Sequence, residues 1–261
     1  MGKLRHQDRV VVVTGAASGI GRGIGLEFGQ EGATVVVADV QREPIVGKHF
    51  GPADPRPTDQ LITEDAPGEG HYNETDVSDP ESVEALIAET VESFGQLDVL
   101  VNNAGIYIAG DSQSISLEDW DRLLGINLDG VFYGAKYAIP HLKRSEGHLI
   151  NIGSVHATQG GGGPPYASAK GAVANLTRDL AVELGAHGVN VNAIHPGYIE
   201  TPIQDYLTEA ELEEALEHTL VPRAGVPADI GKAAVWLASE DAAFVHGEGL
   251  HVDGGWTAHR F

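Results

Sequence analysis

Tyr166 and Lys170 are separated by Ala-Ser-Ala, and a spacing of four places both side chains on one face of a helix. A phenol titrating near about 10 is a poor base at neutral pH, but an ammonium fixed beside it favours phenolate and lowers that value. Ser154 stands 12 residues earlier, at the end of the short apolar run HLINI. Open α/β sheets put their chemistry at such strand ends, and the Ser154 hydroxyl could hold a substrate oxygen against Tyr166. The chemistry available to this set is proton transfer at a carbinol or carbonyl oxygen. A Tyr and a Lys four apart are common by chance, so the weight of the reading rests on what surrounds them.

A second constellation lies near the start of the chain. Thr14-Gly-Ala-Ala-Ser-Gly-Ile-Gly21 sits between a β-branched run and a helical stretch. In that context Gly15 allows a sharp turn off the strand, and Gly19 leaves the backbone bare where a pyrophosphate must approach. Gly21 permits close helix–strand packing. Ser18 and Ile20 lie in the same turn, at a helix N-terminus whose unpaired N–H groups attract phosphate. Asp39 ends the next apolar run, 18 residues after Gly21. A carboxylate there accepts hydrogen bonds from ribose hydroxyls and repels a 2′-phosphate, and position 18 is Ser rather than a basic residue, so NAD is expected over NADP.

These residues need a scaffold. Short apolar runs at residues 9–14, 33–39, 97–102, 148–152, 189–194 and 250–252 read as strands. Between them lie helical stretches at 19–31, 79–94, 117–144 and 165–184, the second expected to be capped by Ser78 with Pro80 in its first turn. Strands alternating with helices imply parallel pairing through right-handed crossovers, hence an α/β fold with a doubly wound sheet. Residues 41–70 break the rhythm with five prolines, which argues for an irregular surface insertion holding at most a short helical turn.

Acidic side chains number 38 against 16 Lys plus Arg, a formal charge of −22. That balance argues against a nucleic-acid partner, which needs a basic face. No run approaches the length of a membrane span, and the N-terminal residues lack a signal-peptide core, so a cytoplasmic enzyme without membrane contact is expected. With no cysteine there is no thiolate, and the 12 histidines show no metal-binding spacing, so no metal is expected.

Taken together, the motifs resemble those of the classical short-chain dehydrogenase/reductase family, over nearly the whole chain, with residues 41–70 the poorest match. The resemblance implies one Rossmann-type domain over residues 1–261 with a seven-stranded parallel sheet. It assigns catalytic parts to Asn127, Ser154, Tyr166 and Lys170, with Lys170 lowering the Tyr166 pKa and holding the nicotinamide ribose. Asn127 would hold a water linking Lys170 to solvent. The resemblance adds Asp76 and Val77 at the adenine, and Asn103, Ala104 and Gly105 after the fourth strand. Pro196, Gly197, Ile199 and Thr201 would lie at the nicotinamide carboxamide. Asp253-Gly254-Gly255 matches a family motif near subunit contacts, and a homo-oligomer is implied, a tetramer ahead of a dimer.

The implied reaction is hydride transfer between nicotinamide and a secondary alcohol or ketone. His156 and Gln159 follow Ser154 closely and are the candidate substrate contacts, which favours a sugar, polyol or sugar-derived keto acid. Residues 198–224 read as a flap, helical from Thr208. A 3-oxoacyl or other ketone reductase is the alternative within the family. A non-catalytic NAD(H)-binding sensor is the alternative outside it. The charge reads as adaptation to high salt, where screening shortens to roughly 3 Å at 1 M. Stability in an unfolding series should therefore rise from low to molar KCl, and a maximum at low salt would refute the adaptation.

Overall fold

Five consecutive β-branched residues, Val10–Thr14, form β1 at the centre of the sheet, buried on both faces. The computed structural model describes residues 4–217 and 219–258; the ends of the expected 1–261 domain, and His218 within the expected flap, lie outside the described residues. After β1 come α1 (Gly19–Gln30), β2 (Thr34–Asp39), α2 (Thr58–Asp65), β3 (Glu69–Glu74), α3 (Pro80–Phe94) and β4 (Val99–Asn102). The second half runs α4 (Leu117–Leu124), α5 (Gly130–Ser145), β5 (His148–Ile152), α6 (Pro164–Leu184), β6 (Asn190–Pro196), α7 (Glu209–Glu217), α8 (Pro227–Leu237) and β7 (Gly249–Val252). All seven strands pair in parallel in the order β3-β2-β1-β4-β5-β6-β7. The order reverses between β1 and β4, and the crevice outside that point is where such sheets bind ligands.

Alternation along the strands divides the core in two. Val11, Val13, Val35 and Val37 pack with Ile24 and Phe28 of α1 and Ile230 of α8. Val12, Val36, Leu100 and Leu149 face the other way, onto Leu86, Leu142 and Leu180 of α3, α5 and α6. Each strand is thus fixed in register from both sides, because a one-residue slip would exchange the two faces.

Four features differ from the sequence reading. The seventh strand is β3, whose Glu69-Gly-His-Tyr-Asn-Glu74 has no apolar run to announce it and lies at the sheet edge beyond β2. The α3 cap is Asp79, whose carboxylate accepts from Glu81 N at 3.0 Å; Pro80 occupies the first helical position, so the cap must precede it, and Ser78 instead donates to Asp76. Between α4 and α5 the helix widens into a π turn, Gly125–Asp129, which carries Asn127. α8 adds a helix beside α1 that the sequence reading had not placed.

The proline-rich insertion is also more built than expected. Its prolines fall outside α2, with Pro57 at the helix start and Pro67 just beyond its end, so an eight-residue helix forms between them. The buried Arg22 guanidinium holds the approach to α2 by donating to the carbonyls of Asp54 and Arg56 at 2.8 and 2.9 Å and to the Thr58 hydroxyl at 3.0 Å. Thr58 in turn donates to the Ala16 carbonyl at 2.9 Å. Ile45 N donates to the Ser18 hydroxyl at 2.7 Å, and Lys48 N to the Asp205 carboxylate at 2.9 Å. His49 Nε2 donates to the Leu207 carbonyl at 2.8 Å. Residues 45–58 are therefore a strap, tied at both ends to the glycine turn through Ser18 and Ala16 and, between them at Lys48 and His49, to the segment after β6.

Candidate active site

The turn after β1 is held from the neighbouring strand end. Asn103 donates its side-chain amide to the Thr14 carbonyl at 2.8 Å and to the Gly15 carbonyl at 3.2 Å, while Asn103 N and Ala104 N both donate to the Thr14 hydroxyl at 3.0 Å. Gly15 takes φ +65°, and a Cβ there would stand 2.8 Å from Ala104 Cα. At Gly21 a Cβ would collide with the Gly15 carbonyl and the Asn103 amide, so this glycine allows α1 to approach the turn but does not line the cavity.

A cavity of about 610 Å³ runs along the carboxyl ends of the strands. It brings together Gly15, Ser18, Gly19, Ile20, Asp39, Asp76 and Val77. From the other half it gathers Asn103, Ala104, Gly105, Asn127, Ser154, Tyr166 and Lys170, with Pro196, Gly197, Ile199 and Thr201. Thr75 and Ile45 line it as well. Sequence reasoning missed Ile45 because nothing in the sequence marks where the insertion folds back. The Asp39 carboxylate accepts from Ala17 N at 3.0 Å; burial raises its pKa, and the N–H groups of Ala17, Gln41 and Val40 pull it back.

Ser154 closes β5, and its hydroxyl accepts from His156 N at 3.2 Å. Its own N–H donates to Nδ1 of the buried His195 at 3.2 Å, so that imidazole is neutral with its proton on Nε2. Tyr166 and Lys170 rise from the first turns of α6, with Nζ 5.7 Å from the Tyr166 ring centroid. Lys170 is 4% exposed and donates to the Ile152 carbonyl at 2.8 Å; burial pushes its pKa down to about 8. Burial raises the Tyr166 pKa, and the Ser154 hydroxyl draws it back. Desolvation weakens the lysine as a fixed positive charge.

Asn127 is fully buried and spends its side chain on the backbone of Ile106: Oδ1 accepts from Ile106 N and Nδ2 donates to Ile106 O, each at 2.9 Å. The geometry thus gives its side chain the task of holding the loop after β4.

A second cavity, of about 560 Å³, shares Tyr107, Ser154, Tyr166, Gly197 and Tyr206 with the first and extends under the segment after β6. His156 lines it, with Nδ1 donating to the Gly160 carbonyl at 3.1 Å. Gln159 is exposed and lines neither cavity, because the short 3-10 turn Val155–Ala157 carries it past the opening. Tyr107 stacks on Tyr206 at 4.2 Å and meets Tyr166 edge-on at 5.5 Å. Trp256, which directly follows the Asp253-Gly254-Gly255 motif but was not itself singled out, completes the wall.

The segment after β6 folds as expected from Thr208, whose hydroxyl accepts from Glu211 N at 3.3 Å while Glu211 accepts from Thr208 N at 2.8 Å, a capping box that opens α7. Its base is closed by a bridge between Ile199 and Gly225. The Asp253 carboxylate accepts from Gly255 N and Thr257 N, at 2.9 Å each, within its own chain. Among the described residues no three His, Asp or Glu side chains gather as a metal site, and no helix is long and apolar enough to cross a membrane.

Comparison with known proteins settles the family. A model described as enoyl-(acyl carrier protein) reductase matches residues 15–257. This chain belongs to the short-chain dehydrogenase/reductase family. It is 36% identical to a meso-2,3-butanediol dehydrogenase of Serratia marcescens, over 98% of this chain and 97% of that protein. A 3beta-hydroxysteroid dehydrogenase of Eggerthella lenta is 39% identical over 96% and 94% of the two chains. A solved structure from Agrobacterium tumefaciens, named as a 2-deoxy-D-gluconate 3-dehydrogenase and holding NADP, superposes with a TM-score of 0.86 at 36% identity, covering 99% of this chain and all of that one. The members of this family are oxidoreductases of alcohol and ketone groups, and the residues here fit their nicotinamide dinucleotide. The glycine turn leaves the backbone open to a pyrophosphate, and the cavity continues from Asp39 to Tyr166.

Two buried histidines give the fold a measurable acid limit. Burial holds His195 down to about 4, with His251, Lys170 and Arg178 adding to it. Burial, with Arg9 and His6, does the same for His148. In the unfolded chain both take a proton near about 6.5. Between those values the unfolded state binds protons that the folded state does not, so the contribution is intact above pH 6.5 and is lost as pH falls toward 4. The loss is on the order of 3 kcal/mol per histidine. Urea unfolding at constant salt should show it, and His195→Asn, which keeps an acceptor for Ser154 N–H, should shrink the decline between pH 6.5 and 4; an unchanged slope would refute the assignment.

Proposed function

We propose that this enzyme is an NAD-dependent dehydrogenase/reductase that interconverts a secondary alcohol and its ketone, on a sugar, polyol or related small ring compound. The observation that carries the NAD reading is the position of Asp39 in the cavity wall beside Gly15, Ser18 and Gly19. A 2′-phosphate there would meet a carboxylate. The two nearby cations are already engaged, Arg22 with the strap and Arg42 with Asp59 at 2.7 Å. Nothing in this arrangement offers the basic partner that a phosphorylated ribose wants, although the Agrobacterium structure holds NADP.

When bound, the dinucleotide supplies the two-electron chemistry. Tyr166 takes the alcohol proton in oxidation and returns it in reduction, acting as general base and general acid in turn. Ser154 holds the substrate oxygen on Tyr166 and keeps the phenol from rising further. Lys170, with a pKa of about 8, exchanges protons near neutral pH and binds the ribose of the cofactor. Asn127 holds the Ile106 loop and a water that connects Lys170 to solvent. His195 fixes the Ser154 backbone from below. The segment after β6 is the substrate flap, and a homo-oligomer, a tetramer ahead of a dimer, is the expected assembly of this cytoplasmic enzyme.

Among the described residues no Lys or Arg lines the second cavity, which argues against the keto-acid form of the substrate and against an acyl-carrier substrate, whose acidic carrier needs a basic docking face. A non-catalytic sensor would have no use for Asn127, Ser154, Tyr166 and Lys170 in one cavity.

Tyr166→Phe should lower kcat by roughly 100-fold to 10,000-fold while NADH binding, read by fluorescence titration, stays near wild type; a variant at wild-type rate would remove Tyr166 from the mechanism. Asp39→Ala should shift the ratio of kcat/KM with NADP to that with NAD upward by about tenfold, since one repulsive contact worth about 1.4 kcal/mol is lost. An unmoved ratio would refute the cofactor reading.

A further inference from the structure

The second cavity has a chemical character that a neutral sugar does not require. Its walls are aromatic: Tyr107, Tyr166, Tyr198 and Tyr206 are joined by Trp256. Burial pushes the phenols of Tyr198 and Tyr206 up to about 12, so both rings stay neutral with electron-rich faces. Among the described residues, the carboxylates Glu211 and Glu214 are the charged groups that line it. They stand three apart on α7 and therefore share a face, whereas the other carboxylates of that helix, Glu209, Glu213 and Glu217, do not line the cavity. Glu211 is held below the usual carboxylate range by the N–H and hydroxyl of Thr208 and is ionised at neutral pH.

Phenol faces and two carboxylates are together the surroundings that recognise an ammonium group. They are poor surroundings for a carboxylate, phosphate or thioester-linked acidic carrier.

We infer that the substrate is a secondary alcohol carrying a protonated amine, or the matching amino ketone, with the ammonium group between the aromatic walls and the Glu211–Glu214 face. The reaction is unchanged, and the inference rests on the reading that places the carbinol oxygen at Tyr166 and Ser154. An acidic outer surface alone would not account for it, since the aromatic walls are interior features.

Three ring compounds of matched size test the inference: trans-2-aminocyclohexanol, trans-cyclohexane-1,2-diol and trans-2-hydroxycyclohexanecarboxylate, each with NAD in low salt. The amine should exceed the diol at least tenfold in kcat/KM and the carboxylate by more, with the advantage shrinking in molar KCl. Glu214→Gln should lower the amine-to-diol ratio about threefold, and Glu214→Lys should reverse the preference toward the carboxylate. Calorimetric binding of the three to the complex with NADH gives a readout apart from turnover. Equal affinity of amine and diol, or a ratio unmoved by both Glu214 variants, would overturn the amine inference and leave the Tyr166 chemistry standing. Selective amine binding without oxidation of any of the three would instead uphold the charge preference and count against the proposed reaction.

Discussion

The site depends on one clamp, the Asn103 amide and the Thr14 hydroxyl holding the ends of β4 and β1 together. A parallel sheet whose order reverses must leave a gap between the two loops that diverge there, and a gap is only useful if its edges are rigid. Asn103 reaches two consecutive carbonyls of the glycine turn, and Thr14 accepts two successive N–H groups in return. The turn therefore keeps its first glycine at positive φ and its tight approach to α1. Ser154, Tyr166 and Lys170 then fall on the adjoining strand end and helix, within one continuous cavity.

Much of this was legible in the sequence because β1 and β2 are mostly β-branched, β4 and β5 are short apolar runs, and several helices begin at recognisable caps or prolines. Glu69–Glu74 escaped notice for the opposite reason: an edge strand needs only one neighbour and little burial, so its side chains carry no apolar signature. The prolines of the insertion were read correctly as incompatible with a long helix, yet their positions bracket a short one. Asn127 was found only through resemblance, since a π turn has no local sequence rule. The Lys170 effect on Tyr166 was expected from charge alone; burial, which sequence spacing cannot report, reduces the lysine's hold on its proton. His195 was missed because its role is to accept a backbone N–H across two strands, a contact that exists only after β5 and β6 pair.

The charge distribution separates two environments within one strongly acidic molecule. Its surface acids are solvated and speak to the medium. Asp39, by contrast, is half-buried and takes up an N–H of the glycine turn, while Glu211 and Glu214, though exposed to solvent, border the cavity walled by phenol rings. Acidity at these three positions is geometry-specific: each faces a cavity in which an anion would otherwise have been a reasonable guest.

The strap from Ile45 to Thr58 meets the glycine turn at both ends, through Ser18 and Ala16, and touches the segment after β6 between them, where Lys48 and His49 reach Asp205 and Leu207. That segment also carries Tyr206, stacked on Tyr107, which in turn meets the Tyr166 ring edge-on. Both cavities thus take part of their wall from one stretch of chain, at Ile203, Gln204 and Tyr206, and the strap that braces this stretch also braces the glycine turn.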